Sequence, residues 1–223
     1  MTNSLKIGLS FCLFVMGINS SFFVHNDIIR HSIEILHPGI DLTKPVEKTL
    51  VQIKGEAGKA DEFYMDVKTV VCGDAQCKID VVRIYWNALG FYDRLVLPSG
   101  VALEKAEGKH FTKKDYEKLD AILSNKNSSL KYVYKEEVVG TETSEGVDAM
   151  TGATIILNNN DFVAGAVWTC YTLWHWVNGD IFAIIRNITG EGISIEELAE
   201  NLKNEDIRYK IFTLEQLIRK KAY

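Results

Sequence analysis

The sequence predicts an α+β fold, in which a small antiparallel sheet packs with helices and a C-terminal helical pair follows. Residues 63–71 alternate apolar and polar side chains, and residues 78–86 form a second run rich in β-branched and aromatic residues, as in half-buried strands. Residues 111–123 and 207–221 instead repeat apolar side chains at helical spacing. A chain of 223 residues that is 47% hydrophobic can bury one such core and an appendage.

The composition argues against two classes of protein. An apolar content this high, with only three prolines, is not typical of intrinsically disordered chains. The net charge of −5 lacks the basic surface that phosphate backbones require, so nucleic acid is not an expected partner.

Residues 1–20 have the pattern of a secretory signal peptide. Lys6 precedes an apolar run, Ile7–Met16, that is too short to span a bilayer, and small residues near Ser20 suit cleavage. The alternative is an uncleaved anchor or a buried helix. Cleavage would remove Cys12. The signal-peptide pattern predicts a periplasmic or secreted protein, and membrane anchoring is less favoured.

Residues 21–60 are predicted as an N-terminal helical and linker segment. A helix is expected to begin after Asn26, which is placed as its cap, and to end at His37-Pro38-Gly39. Its apolar residues recur at helical spacing, and they are Ile28, Ile29, Ile33 and Leu36.

Residues 61–180 are predicted as the main domain, which begins with a β-hairpin. Its strands are joined by CGDAQC, which places Cys72 and Cys77 opposite each other at a separation that suits a disulfide. Export would put both in an oxidising compartment, so a structural bridge worth at most about 2 to 3 kcal/mol is expected. A redox-active pair or a metal site is the alternative, but zinc takes about four ligands and no histidine or third cysteine lies near this loop.

The next elements follow from local patterns. Phe91–Leu97 is a candidate third strand, and Thr112 with Asp115 has the spacing that caps a surface helix. Residues 130–139, LKYVYKEEVV, are predicted to form a further strand.

Residues 147–154, VDAMTGAT, are the strongest candidate for a site. Gly152 permits a positive φ, Ala153 keeps the surroundings uncrowded, and Thr154 would present its hydroxyl on an accessible turn. Asp148 suits a bond to the turn amides, or a cation beside an incoming phosphate. On spacing alone, a turn capped by aspartate and threonine remains the alternative.

This motif resembles the signature of FMN-binding domains, the family that includes flavin-carrying subunits of sodium-pumping and related respiratory complexes. The matching positions are Asp148, Thr151, Gly152, Ala153 and Thr154. The resemblance covers residues 60–180 and implies that a magnesium-dependent flavin transferase esterifies FMN through its phosphate to Thr154. Together with CGDAQC, KHFTKKDYEKLDAIL and VWTCYTLWHWVNG, the motif also resembles a group of uncharacterised exported bacterial proteins.

An apolar helix is predicted over Phe162–Val177, with Asp161 as its cap. Its aromatic side chains are candidate contacts for the flavin ring, with burial in the core as the alternative; they are Trp168, Tyr171 and Trp174, with Trp176 close by. His175 is interpreted as a core histidine and Cys170 as a small buried apolar residue.

Residues 181–223 are predicted as a C-terminal helical pair. Ser194 with Glu197 has the spacing of a capping box, and residues 207–221 carry apolar side chains at helical spacing. The basic residues at the end, Arg219 to Lys221, suit a helix C-terminus. They are too few for a membrane-binding patch on their own.

Two functions of different classes follow. The first is an exported flavoprotein electron carrier with FMN on Thr154, more an electron-transfer protein than an enzyme with its own substrate. Its partners would be a flavin transferase and a redox protein, with peripheral association to a membrane complex left open. The second is an extracytoplasmic binding or scaffold module without flavin, which is favoured by Ile155-Ile156-Leu157 where the family often has Thr-Ser. No catalytic triad, carboxylate pair or metal-ligand spacing predicts a catalytic or metal site.

Overall fold

The computed structural model describes residues 27–55, 60–73, 76–139 and 157–221. Within these ranges five strands form one antiparallel sheet in the order β1-β2-β3-β4-β5. The strands are β1 Ile28–His37, β2 Asp41–Ile53, β3 Glu62–Gly73, β4 Gln76–Asn87 and β5 Tyr92–Val96. The helices are α1 Lys113–Ser124, α2 Lys135–Val139, α3 Val167–Asn178, α4 Ile181–Glu191, α5 Ile195–Asn201 and α6 Ile207–Arg219, with short 3-10 helices at Ala106–Gly108 and Ser129–Tyr132. The α+β prediction is confirmed.

The sheet consists of two long hairpins that meet along a short stretch, with β5 paired to β4 at one edge. β3 and β4 pair along their whole length, as the alternating pattern predicts. β1 and β2 form a long pair as well, whereas β2 and β3 pair only over Val51–Ile53 and Glu62–Tyr64 among the described residues. The hairpins therefore diverge beyond this junction.

The core lies between one face of the sheet and α3. Phe63, Met65 and Val67 project from β3 onto this face and are fully buried. The indole N–H of Trp86 on β4 donates to the Val177 carbonyl at 3.0 Å and ties the sheet to the end of the helix. Because ten residues of α3 are buried, this helix is the centre of the fold.

The helix predicted at Ile28–Leu36 is wrong, because this segment is strand β1. Ile33, Ile35 and His37 alternate towards the core, while the intervening residues are exposed. The segment contains both a helical and an alternating pattern, and pairing with β2 satisfies the backbone only for the strand. Pro38 and Gly39 end the strand in a turn to β2.

The strand predicted at 130–139 is also wrong. Ser128 caps a 3-10 helix by accepting a hydrogen bond from the Leu130 amide, and α2 follows. The carboxylate of Glu137 accepts from the Tyr134 amide at 2.7 Å, which is a helix-start contact. Local capping therefore outweighs the β-branched and aromatic content of this segment.

The helix predicted over Phe162–Val177 begins five residues later, at Val167. Asp161 does not cap it, because its buried carboxylate accepts from the hydroxyl groups of Ser128 and Ser129 at 2.7 and 2.6 Å. Gly165, with φ of 74°, interrupts a helical path before Val167.

The predicted cap of α1 is confirmed. Thr112 accepts from the Asp115 amide, and Asp115 in turn accepts from the Thr112 amide, which completes a capping box. Lys105 lies 2.9 Å from the same carboxylate, and these contacts lower the pKa of Asp115 to about 2.

Replacement of Thr112 by alanine should lower the free energy of unfolding by about 1 kcal/mol, because the first turn of α1 loses an acceptor for its amide. Denaturant titration would measure the change. Ser124→Ala is the matched control, since the Ser124 hydroxyl donates to a carbonyl within the same helix at an exposed position. Equal stability losses in the two variants would contradict the capping role.

The C-terminal helical pair, α5 and α6, is confirmed, and α4, which the sequence does not predict, precedes it. Leu198 of α5 and Phe212 of α6 pack with Leu89 as a second, smaller core. The buried guanidinium of Arg186 on α4 donates to the Leu89 carbonyl and pairs with Glu215 at 2.6 Å. These contacts fix the helical pair to the turn that follows β4.

Candidate functional site

The motif that suggests flavin attachment lies outside the described residues, and it comprises Asp148, Thr151, Gly152, Ala153 and Thr154. Its role stays a prediction. The structure describes the residues on either side, where α2 ends at Val139 and the chain continues from Leu157. Leu157 packs against the main core, as does the buried Val138 of α2.

The first turns of α3 form an aromatic surface beside α2. Trp168 is half-buried, and its ring stacks on Tyr171 with centroids 5.6 Å apart and an interplanar angle of 27°. The Lys135 ammonium of α2 lies 5.9 Å from the centre of the Trp168 ring. Of the candidate ring contacts, Trp168 is therefore the one that contacts α2 through its ring, and Tyr171 lies behind it.

Two buried polar atoms on this side of α3 have no hydrogen-bond partner within the described ranges. They are the Tyr171 hydroxyl oxygen and the Nε2 atom of His175. The two rings touch edge to face, with centroids 4.6 Å apart. Burial, together with the carboxylates of Glu136 and Glu137, raises the pKa of Tyr171 to about 12, so the phenol stays protonated at neutral pH.

Trp174 and Trp176 make contacts typical of core residues. The indole N–H of Trp174 donates to the Asn125 carbonyl at 2.8 Å. Trp176 is fully buried, and the centroids of the Trp176 and His37 rings are 4.2 Å apart. The Lys48 ammonium lies 5.2 Å from the centroid of the Trp176 ring.

His37 joins this cluster from strand β1. Its Nδ1 accepts from the Gly39 amide at 3.1 Å, which leaves Nε2 protonated to donate to the Thr172 carbonyl at 2.9 Å. The His175 ring lies 6.1 Å away. Burial lowers the pKa of both histidines to about 4, so both are neutral at pH 7. The sequence pattern assigns His37 to a helix end, and it cannot reveal a contact with Thr172, which follows 135 positions later.

Cys170 is a buried free thiol, as predicted. Its sulfur accepts from the Val163 amide at 3.3 Å, and burial raises its pKa to about 12, so it is an inert thiol. Cys72 and Cys77 are direct partners in the β3–β4 register, which is the geometry that the predicted bridge needs. The bridge itself stays a prediction.

If Cys72 and Cys77 are joined, reduction should lower the free energy of unfolding by at most about 2 to 3 kcal/mol, because the bridge closes a short loop. The mature chain, denatured without reductant, should then show only the Cys170 thiol towards a thiol reagent. Three reactive thiols would contradict the bridge. Cys72→Ser is the companion variant, since its stability should equal that of the reduced protein.

A cleft lies on the sheet where β2 and β3 diverge, and Tyr64, Asp66 and Arg83 are among the residues that line it. This cleft has a volume of about 560 Å³ and opens to solvent. Arg83 forms a two-bond pair with Asp66 at 2.7 and 2.8 Å, and its guanidinium stacks over Tyr64. The other charged side chains in its lining are Arg30, Lys48 and Glu47, so the basic side chains outnumber the acidic ones by one.

The described ranges contain no cluster of three or more histidine, cysteine or acidic side chains that could hold a metal ion. Among the helices in these same ranges, none has the length and apolarity to cross a bilayer. Comparisons with family models, curated proteins and solved structures found no match for this chain.

Proposed function

We propose that the chain is an exported electron carrier with FMN esterified through its phosphate to Thr154. The five-position match of Asp148 and Thr151–Thr154 to the FMN-binding signature is the observation that carries this proposal. The proposal includes a cleaved signal at residues 1–20, a flavin transferase that matures the protein, and a redox partner outside the cytoplasm. The flavin would do the redox chemistry, and the protein would supply attachment and surroundings.

The described structure supports a ring site at the start of α3. The segment that carries Thr154 leaves from α2, whose Lys135 contacts Trp168, and Thr154 precedes the core residue Leu157 by three positions. The exposed part of the Trp168 ring offers a surface for offset stacking of the isoalloxazine. Tyr171 stacks on Trp168 and is itself fully buried, so it would support the Trp168 ring from behind.

Polar atoms at the same place would serve the flavin. The ring carries carbonyl and ring-nitrogen acceptors. The Tyr171 hydroxyl is a donor without a partner in the described part of the chain, but it is buried, so a flavin would have to displace the residues that cover it in order to accept from it. Lys135 would supply a positive charge near a reduced, anionic ring. Attachment through the phosphate leaves the ring electronics unmodified, so these noncovalent neighbours would set its potential.

Replacement of Thr154 by alanine should abolish covalent flavin. The protein would be produced with its export signal beside a flavin transferase, denatured, and inspected for in-gel flavin fluorescence. Wild type should fluoresce and gain the mass of FMN less one water, whereas Thr154→Ala should do neither. Thr143→Ala, close by but outside the motif, should behave as wild type.

A bare wild-type chain, or fluorescence retained in Thr154→Ala, would contradict the proposal. Asp148→Ala distinguishes the attachment site from its recognition by the transferase. The variant keeps the Thr154 hydroxyl that accepts the flavin but lacks the carboxylate that the transferase reaction would use. Modification of Asp148→Ala should therefore be reduced under limiting transferase.

The alternative function is a flavin-free binding or scaffold module. The exposure of four aliphatic side chains on α6 is the observation that favours it, because such a surface suits a protein contact. An unmodified wild-type chain in the gel experiment would leave this function as the better account.

A further inference from the structure

Helix α6 turns four aliphatic side chains towards solvent. Ile207, Ile211, Leu214 and Ile218 are spaced by four, three and four residues, so they form one line along the helix, here named the apolar stripe. Their exposed fractions are 63%, 49%, 51% and 65%. The opposite side of α6 buries Phe212, Thr213 and Gln216 against the rest of the protein.

A surface helix needs one side that packs on the protein, and α6 has that side in addition to the exposed apolar stripe. Phe212 already fills the contact with Leu198 and Leu89, so the stripe is not required for packing within the chain. A continuous line of aliphatic side chains in water is characteristic of an interaction surface. Its regular spacing matches the contact line between two packed helices.

We propose that the apolar stripe is the contact surface of a homodimer, in which α6 packs antiparallel on α6 of a second copy. In this register Ile211 lies across from Leu214 of the second copy. The ends match as well, since Ile207 then lies across from Ile218. A two-fold axis generates both contacts from one surface, which is the commonest symmetry of soluble oligomers. The contact does not depend on whether the chain carries flavin.

The charges at the two ends of α6 favour the antiparallel direction. Glu205 and Asp206 stand at its start, whereas Arg219, Lys220 and Lys221 stand at its end. In the antiparallel register each acidic end comes level with the basic end of the second copy, and the helix dipoles oppose each other favourably. A parallel pair would instead bring the two basic ends together, which is repulsive.

The charges beside the stripe agree with this direction. Arg208 and Glu215 lie on the same flank of the helix, because they are seven residues, or about two turns, apart. In the antiparallel register Arg208 comes within about two residues, or 3 Å along the axis, of Glu215 in the second copy. This contact would add to the pairs that the two side chains form within the chain, Arg208 with Asp206 and Glu215 with Arg186. The two-fold axis repeats this contact of opposite charges.

The same charges disfavour an anionic membrane as the occupant. Arg208 and Arg219 are already paired with Asp206 and Glu191. Neighbouring α5 exposes three further acids, which are Glu196, Glu197 and Glu200. The surface around the stripe is therefore mixed in sign, whereas lipid headgroups of one sign select a basic face.

The small area of the apolar stripe determines how strongly the two copies are expected to bind each other. A helix of 13 residues is about 20 Å long, so the contact is smaller than the roughly 800 Å² per partner of a standard interface. The dimer should therefore be weak and reversible, with a dissociation constant on the order of 10 to 100 µM.

Analytical ultracentrifugation of the mature full-length chain tests this directly. From about 5 to about 500 µM, a range that brackets the expected constant, wild type should pass from monomer to dimer. The double variant Ile211→Lys/Leu214→Lys should stay monomeric, and circular dichroism would check its fold. Tyr132→Lys is the matched control, because it places a lysine at an exposed hydrophobic residue outside the stripe, and it should dimerise as wild type does.

Cysteine cross-linking tests the direction. Mild oxidation of an Ile207→Cys and Ile218→Cys mixture should give cross-linked heterodimers, while each variant alone should not cross-link. A wild-type monomer at all concentrations, or undiminished dimerisation of the double variant, overturns the proposal. Stripe-dependent co-sedimentation of a monomeric chain with phosphatidylglycerol vesicles would also overturn it, and would assign the surface to lipid.

Discussion

Acidification from pH 7 to pH 4 should destabilise the protein through His37 and His175. Burial lowers the pKa of each ring from 6.5 to about 4, so between these values the unfolded chain binds protons that the folded protein excludes. Stability is therefore complete above pH 6.5 and falls as the pH drops towards 4. Each histidine can account for roughly 3 kcal/mol, since one pKa unit corresponds to about 1.4 kcal/mol.

The two contributions are not independent, because a charge on one ring opposes protonation of the other at 6.1 Å. The Lys48 ammonium acts in the same direction on His37. The measurement is the free energy of unfolding at several pH values for wild type and His175→Phe. The variant keeps an aromatic ring beside Tyr171 but removes one titrating group.

The slope of stability against pH between 4 and 6.5 should be smaller in His175→Phe than in wild type. Tyr171→Phe is the control, because the Tyr171 phenol also touches His175 but, with a pKa of about 12, does not titrate between pH 4 and 6.5, so its replacement should leave that slope unchanged. Identical slopes in wild type and His175→Phe would show that acid unfolding arises from other groups, such as the carboxylates.

Replacement of Gly90 by alanine should cost about 3 kcal/mol, because it combines backbone strain with a steric clash. Gly90 has φ of 78°, a conformation that residues with a Cβ rarely adopt, and a Cβ there would lie 2.7 Å from the Phe182 carbonyl oxygen. The obstacle is backbone in α4, so it cannot move aside as a side chain would. The turn after β4 and the helix must therefore separate.

Gly100→Ala is the matched control for Gly90→Ala. Gly100 has nearly the same φ, 79°, but no atom lies within 4 Å of the position that its Cβ would take. This variant should lose only about 1 kcal/mol, from the left-handed conformation alone. Thermal or denaturant unfolding of both variants measures the difference, and equal losses would contradict close packing between the turn and α4.

Local pattern predicts the elements whose sequence favours one structure. β3 and β4 alternate without ambiguity, and the cap of α1 is formed by residues three positions apart. β1 is mispredicted because Ile28–Leu36 satisfies both helical and alternating periods, and only its partner strand β2 decides between them. Asp161 is mispredicted because its carboxylate binds Ser128 and Ser129, which lie more than thirty positions earlier.

In the candidate site as well, local features follow from the sequence and contacts between distant residues do not. The buried thiol of Cys170 follows from its place in an apolar helix. The contact between His37 and His175 does not, since it requires β1, α3 and the turn at Gly39 to be assembled first. The apolar stripe follows from the helical pattern of residues 207–221. Its exposure to solvent does not follow from that pattern, because it depends on Phe212, and not the stripe, being buried in the core.

The short junction between β2 and β3 has a consequence for how the fold opens locally. Among the described residues the two hairpins share three residue pairs, so few ladder bonds resist their separation. The β1–β2 hairpin is held mainly from outside the sheet, through the burial of Ile35 and Leu50 in the main core and the bond between His37 and the Thr172 carbonyl. Amide hydrogens of β1 should therefore exchange with solvent as a unit, earlier than those of β3 and β4.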